Sequence, residues 1–278
     1  MKICMKIFVV FVLSSHQICL VFAGCFYTDA ASQKSSLETS FVKCEYRAFQ
    51  TLSYCPFKTP LVSWVRVFHD KGDENTSNRN YRVDPLAAAL ACQQTSGSTY
   101  SSIKEGFDVG HLTPIDILDN DTLSAHETNF MTNLVPQNLS LNRYGAWRKS
   151  ERLTECYREE YDSTEVFSGV LIGSDVTNDH FASSHGLIKT PDRLWKVIKF
   201  YDSNSNEFYT SWIFDNSSSG SKVGLEEIST PLPTLVSVME SEGKDIYQPV
   251  INLLEKKITP SSQFIRLSFH SACHARNG

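Results

Sequence analysis

Apolar and polar positions alternate along "LVSWVRVF", residues 61–68, and a period of two predicts a strand. Three later runs, "TEVFSGVLIG" (164–173), "RLWKVIKFY" (193–201) and "EFYTSWIF" (207–214), are rich in β-branched and aromatic residues and bounded by turn formers. Each predicts a strand. From about residue 144 the spacing changes: Trp147, Leu153 and Tyr157 stand among charged residues at helical intervals, which predicts a helix. "DPLAAALACQQ" (84–94) predicts a short helix capped by Asp84 with Pro85 in its first turn, and "TPLPTLVSVMESEG" (230–243) a helix after its prolines. "DKGDENTSNRN" and "TSGSTYSSIKEG" are loops by their glycines, asparagines and charges. Strands in hairpin-like succession mix with helices and show no regular βαβ alternation, so the fold class is α+β in a single domain.

The first 23 residues have a different character. Lys2 and Lys6 precede an apolar run that ends in small residues, the pattern of a secretory signal cut between Ala23 and Gly24. The run is broken by "SSHQ" and falls short of the roughly 20 residues that a membrane span needs, so no stable membrane association is expected after cleavage. Residues 24–60 are polar, carry cysteines and show no sustained period; they read as an N-terminal extension ahead of the main domain at 61–278. Six cysteines follow the signal: Cys25, Cys44, Cys55, Cys92, Cys156 and Cys273. An even count in an exported chain predicts three disulfides, here holding the extension to the domain. No pair is spaced CxxC, which argues against a zinc ribbon. Four glycosylation sequons, at Asn75, Asn120, Asn138 and Asn216, agree with export.

Charge narrows the function. The net charge is −5, and loss of Lys2 and Lys6 takes it to −7. That argues against a high-affinity, sequence-independent coat of nucleic acid, which would need a basic face. It leaves room for an enzyme with a small basic cleft, where a hydrated metal ion supplies positive charge that side chains do not. The residues that could carry such chemistry lie in two stretches. In "GFDVGHLTPIDI", His111 follows Gly110, and a glycine there lets the backbone approach another group closely or take a positive φ. In "PQNLSLN", Asn142 offers a neutral oxygen ligand at the start of the helix that carries Glu151. A histidine base, an oxygen ligand for a hard cation and a carboxylate suit phosphodiester hydrolysis. On residue types alone, His111 reads more readily as a satisfied loop histidine, and Asn142 could simply cap a helix.

"FDVGHLTP" followed by "NFMTNLVPQNLSLNRYGAW" resembles the DNA/RNA non-specific endonuclease family of ββα-metal nucleases, to which mitochondrial endonuclease G belongs. Asn133, Pro136, Gln137, Asn142, Trp147 and Glu151 match the family's second signature. "RNYRVDP" resembles a further family stretch and places Arg79 at its phosphate-binding arginine; "RLWKVI" and "VSVMESEGKDIY" resemble later elements. The resemblance spans about residues 60–270. It implies a ββα-metal nuclease fold, a central antiparallel sheet flanked by helices, acting on DNA and RNA. His111 would be the general base and Asn142 the protein ligand of one Mg²⁺, with Mn²⁺ as an alternative ion. Glu151 would hold a water of the metal's shell, and Arg79 would bind substrate and stabilise charge on the phosphoryl oxygens.

Two positions depart from the family. Val109 stands where an arginine is usual, which removes a cation near the phosphate unless Lys104 or Arg152 replaces it. The step from Asn142 to Glu151 is nine residues where the family has eight, and one extra residue turns a helical side chain by about 100°. Either the helix starts after Asn142 or a π-bulge absorbs the insertion. Elsewhere, His270, Cys273 and His274 in "HSACH" read as a disulfide region before a metal pair. His180, His185, Glu226, Glu227, Glu240 and Glu242 read as solvated, Trp147 as core and Asp108 as a structural turn residue, with help in orienting the site as the alternative.

Overall fold

The computed structural model describes residues 24–28, 40–69, 80–87, 90, 92–94, 106–179 and 188–266. Its strands are β1 (Gly24–Tyr27), β2 (Phe41–Glu45), β3 (Phe49–Tyr54), β4 (Thr59–Val67), β5 (Phe107–His111), β6 (Leu134–Asn138), β7 (Thr164–Leu171), β8 (Arg193–Tyr201), β9 (Glu207–Asp215) and β10 (Gln263–Phe264). Its helices are α1 (Thr122–Glu127), α2 (Leu139–Arg143), α3 (Ala146–Glu160) and α4 (Leu232–Lys257). Eight strands make one sheet in the order β1-β2-β3-β4-β7-β8-β9-β10, antiparallel except where β10 joins β9. β5 and β6 form a separate antiparallel ribbon. The α+β class holds.

Both faces of the large sheet are covered. On one face, Trp147 of α3 meets Phe214 of β9 edge-on at 5.3 Å and Tyr157 meets Phe200 of β8 at 4.7 Å. On the other face, α4 accepts a hydrogen bond at Tyr247 Oη from the Ile172 N–H (2.7 Å), and its Lys257 carbonyl accepts one from Lys199 Nζ (2.8 Å). A strand covered on both sides loses its alternation. β7 accordingly is buried at every position. α4 runs past the predicted helix to Lys257, interrupted at non-helical Gly243, because Tyr247, Val250, Ile251 and Leu254 renew the apolar stripe.

Residues 24–60 depart from expectation. They supply β1, β2 and β3, and the sheet passes through residue 60 without a break, with Tyr54 of β3 paired to Thr59 of β4. Their period is hidden because the inward face is hydroxylic: Thr51 and Ser53 are buried, and Thr51 pairs with Ser63, which pairs with Ser168. The disulfides follow this arrangement. Cys25–Cys44 joins paired positions of β1 and β2, inside the segment, whereas Cys55–Cys92 ties it to the chain after Asp84. Cys156 is also disulfide-bonded, and Cys273 lies outside the described residues. Asp84 does cap the expected turn, its Oδ1 accepting the Leu86 N–H at 2.7 Å. Residues 85–87 are a turn rather than an α-helix, and 88, 89 and 91 lie outside the described residues. Among the described residues no helix is long and apolar enough to cross a membrane.

One sequon has an internal role. Asn216 is buried, and its amide donates to the Pro136 and Pro191 carbonyls (3.1 and 2.8 Å) while its Oδ1 accepts the Asn138 N–H (2.7 Å). It thus clamps the end of β6 to β9. Asn138 caps α2, its Oδ1 accepting from Ser140 and Leu141, and Asn120 is exposed. Asn216→Ala would strand one buried donor and two buried acceptors, so a loss of about 2–4 kcal/mol is expected. Urea denaturation of the two proteins measures it; a loss below about 0.5 kcal/mol would show that the clamp is not holding the ribbon.

Candidate active site

His111 ends β5 rather than lying in a loop, opposite Leu134 of β6. Gly110 serves close approach, not a positive φ: a Cβ there would come 2.3 Å from Gln137 Oε1 and 2.6 Å from its Cβ. Beyond His111 the chain is caught by Asn133, whose Oδ1 accepts the Thr113 N–H while its Nδ2 donates to the Thr113 and Thr128 carbonyls, each at 2.9 Å. The next residue, Asn129, places its Oδ1 3.1 Å from His111 Nε2. An amide oxygen can only accept, so Nε2 donates this bond; in a neutral ring held this way the lone pair would lie on Nδ1. His111 is buried and its ring lies 5.9 Å from that of Tyr81.

The extra residue between Asn142 and Glu151 falls at a corner. α2 ends at Arg143, α3 begins at Ala146, and Tyr144 and Gly145 leave helical geometry between them (Gly145 φ −87°, ψ −162°). The first of the two expected solutions occurs: the helix that carries Glu151 starts after Asn142, at Ala146. Asn142 lies in the last turn of its own short helix, and a second helix carries Glu151. Gly145 permits the corner, since a Cβ there would lie 2.8 Å from Ser221 and 2.9 Å from Leu141. The turn brings Asn142 and Glu151 onto one cleft of about 370 Å³, lined also by Tyr81, Asp108, His111, Asp116, Arg143 and Arg148.

Hydrogen bonds orient both groups. Asn142 Nδ2 donates to Asp108 Oδ2 (3.0 Å), which leaves the amide oxygen as the atom available to a cation. Asp108 is therefore an orienting residue on β5, not a turn residue. Burial pushes its pKa up, but bonds from Arg143 and Asn142 outweigh that and hold it below the usual carboxylate value. Glu151 accepts from Trp147 Nε1 (3.0 Å) and Arg148 Nη1 (3.1 Å). Its burial raises its pKa, opposed by the charges of Lys196 and Arg148. Trp147 is core, as expected, and also a donor to the site. Lys196 of β8 is fully buried, with its Nζ 4.0 Å from the centroid of the Trp147 ring.

These donors fit a sparsely held, hydrated divalent ion. Among the described residues, the one group of three His, Cys, Asp or Glu close enough to ligate an ion together is Cys25, Cys44 and Asp84, and those cysteines are bridged. The cleft instead presents one oriented amide oxygen with carboxylates nearby, which suits an ion that keeps most of its waters. Among the described residues of the cleft, Asp108, Asp116 and Glu151 face Arg143 and Arg148, one negative charge in excess, and a divalent ion would reverse that sign.

Other expectations resolve variously. Arg79, Lys104, His180, His185, His270, Cys273 and His274 lie outside the described residues. Val109 is buried in a small cluster with Met131 and Leu134. Arg152 is exposed and does not line the cleft. Glu240 and Glu242 pair with Lys244 and Arg193, and Glu227 is exposed. Sequence reasoning missed Arg143, Arg148, Asp116, Asn129 and Lys196. Lys196 carried a signal: a lysine amid the apolar run "RLWKVIKFY".

The model of the DNA/RNA non-specific endonuclease family matches residues 34–243. A mitochondrial nuclease EXOG of Danio rerio is 28% identical over 133 residues, 46% of this chain and 37% of the relative. The chain thus aligns with little more than a third of that relative's length. The crystal structure of the EndoG/EndoGI complex, concerned with EndoG inhibition, shares the fold at a TM-score of 0.58 and 13% identity, covering 71% of this chain and 83% of that one.

Burial lowers the Lys196 pKa from 10.5 to about 8, with Glu151 opposing the shift. The folded protein therefore binds this proton more weakly than the unfolded chain. Between these two values unfolding takes up a proton, so the cost of the buried charge is relieved as pH rises through the window. The stability of the native protein relative to Lys196→Met is expected to rise by on the order of 3 kcal/mol across it. Urea denaturation of both proteins through that pH range checks this; parallel curves would mean that Lys196 is not desolvated.

Proposed function

Because the chain belongs to the DNA/RNA non-specific endonuclease family, we propose that it hydrolyses phosphodiester bonds of DNA and RNA without strong sequence preference, using Mg²⁺ or, in its place, Mn²⁺. The observation that carries this reading is the convergence of His111, Asn142 and Glu151 on one cleft across an irregular corner. His111 Nδ1 takes a proton from the attacking water, while Asn129 holds the ring and its tautomer. Asn142 offers its amide oxygen to the ion, fixed by Asp108. Glu151, held by Trp147 and Arg148, accepts from water in the ion's shell. Arg79 keeps the role that the resemblance implies, binding the phosphate and stabilising its developing charge. When bound, the ion supplies positive charge to the phosphate oxygens as the P–O bond breaks.

Secretion belongs to the same proposal. It is supported by the signal-like first 23 residues and by two disulfides among the described residues with Cys156 bridged as well, since such bonds persist in oxidising compartments.

Plasmid nicking tests the assignment. The native protein is expected to nick DNA with Mg²⁺ and to stop when the ion is chelated. His111→Ala should slow cleavage by a factor on the order of 10²–10⁴. Asn142→Ala should be rescued by raised Mg²⁺ more than His111→Ala is. Full activity in folded His111→Ala would contradict the base assignment. Nucleic-acid binding without cleavage at any Mg²⁺ concentration would make the protein a binder instead.

A further inference from the structure

The cleft holds cations in different states of commitment. Arg148 Nη1 is ringed by carboxylates: Glu151 at 3.1 Å, Asp116 at 3.2 Å and Glu155 at 3.8 Å. Lys196 is sealed behind Trp147. Arg143 differs from both. Its side chain is 51% exposed and meets a single carboxylate side-on, Nε to Asp108 Oδ2 at 2.7 Å and Nη2 to Oδ1 at 3.2 Å. That pairing uses one edge of the guanidinium. The end-on edge, Nη1 with the outer N–H of Nη2, has among the described residues only the exposed Tyr144 hydroxyl beside it. That is a neutral group that an anion can displace, and the fork matches two phosphate oxygens. Arg143 also sits one residue beyond Asn142, at the corner that the extra residue creates. Val109, by contrast, packs against Met131 and Leu134.

We propose that Arg143 is a substrate-binding residue of this cleft, its end-on edge gripping a backbone phosphate of the nucleic acid while Asp108 holds the guanidinium in place. This rests on the nuclease reading. Asp108 thereby couples two tasks, aiming the Asn142 amide at the ion and the Arg143 fork at the phosphate beside it. The charge absent at position 109 is supplied from the other side of the cleft, by a helix end instead of a strand.

Binding and cleavage test the idea separately. Binding is measured by fluorescence anisotropy with a short labelled single-stranded DNA in the His111→Ala background, at rising KCl. Arg143→Gln is expected to weaken affinity about 10- to 100-fold at low salt and to flatten the log–log salt dependence by about 0.7. Arg143→Lys should keep most of the salt slope. The Asp108→Asn/Arg143→Gln double variant separates phosphate binding from mere neutralisation of Asp108. A persistent loss of affinity in the double variant supports the proposal, and recovery to native affinity overturns it. If the native protein cleaves while Arg143→Gln keeps its affinity and slope, the proposal fails and the nuclease reading stands. If the native protein never cleaves but Arg143→Gln still loses salt-dependent affinity, the phosphate contact stands and hydrolysis fails. An absence of binding by the native protein would overturn both.

Discussion

The Asn133 side chain is the constraint on which the site's geometry depends. Buried and fully used, it holds Thr113 through both backbone groups and Thr128 through its carbonyl. Its own carbonyl accepts the Leu112 N–H at 3.0 Å. One amide therefore fixes the chain leaving β5 just past His111, the chain entering β6, and the end of α1 that delivers Asn129. Local hydrogen bonds of this kind cost a folding protein conformational entropy at several segments at once. Here that ordering is what brings the Asn129 amide oxygen to His111 Nε2. The ribbon pairing then carries the same precision to Asn138, the cap of α2, and so to Asn142.

Much of this was legible because it rests on periodicity. Strands β4, β7, β8 and β9 and helix α3 present β-branched, aromatic or amphipathic patterns that packing simply accepts. What stayed hidden had another physical basis. β3 turns Thr51 and Ser53 inward beside Ser63 and Ser168, so a buried face looked polar. His111, Asn142 and Glu151 could be named as types, but their convergence depends on a corner at Tyr144 and Gly145 that no helical period describes. Asp108 looked like a turn residue because its partners, Asn142 and Arg143, lie more than thirty positions away. Lys196 was visible only as an odd polar residue in an apolar strand.

Charge gives these pieces a common logic. Among the described residues the cleft places carboxylates and guanidiniums in near balance, with a slight negative excess; on the proposed reading, a bound divalent ion would offset it before a phosphodiester is met. Glu151 is drawn between two influences, burial favouring its neutral form and the Lys196 and Arg148 charges favouring the anion. Lys196, desolvated beside Trp147, thus counters part of the effect that burial has on the Glu151 carboxylate. On the proposed reading, an acidic protein would in this way handle an acidic polymer, with attraction confined to one cleft rather than spread over a face.

The central claim is that Asn142 and Glu151, on separate helices, address one ion beside His111. Anomalous scattering from crystals soaked in Mn²⁺ tests it most directly. The account expects a single strong peak about 2.1 Å from the Asn142 amide oxygen, with waters filling its remaining shell and one of them within hydrogen-bond reach of Glu151. A peak on Asp108 and Asp116 that leaves Asn142 without contact, or no peak in the cleft at saturating Mn²⁺, would contradict it.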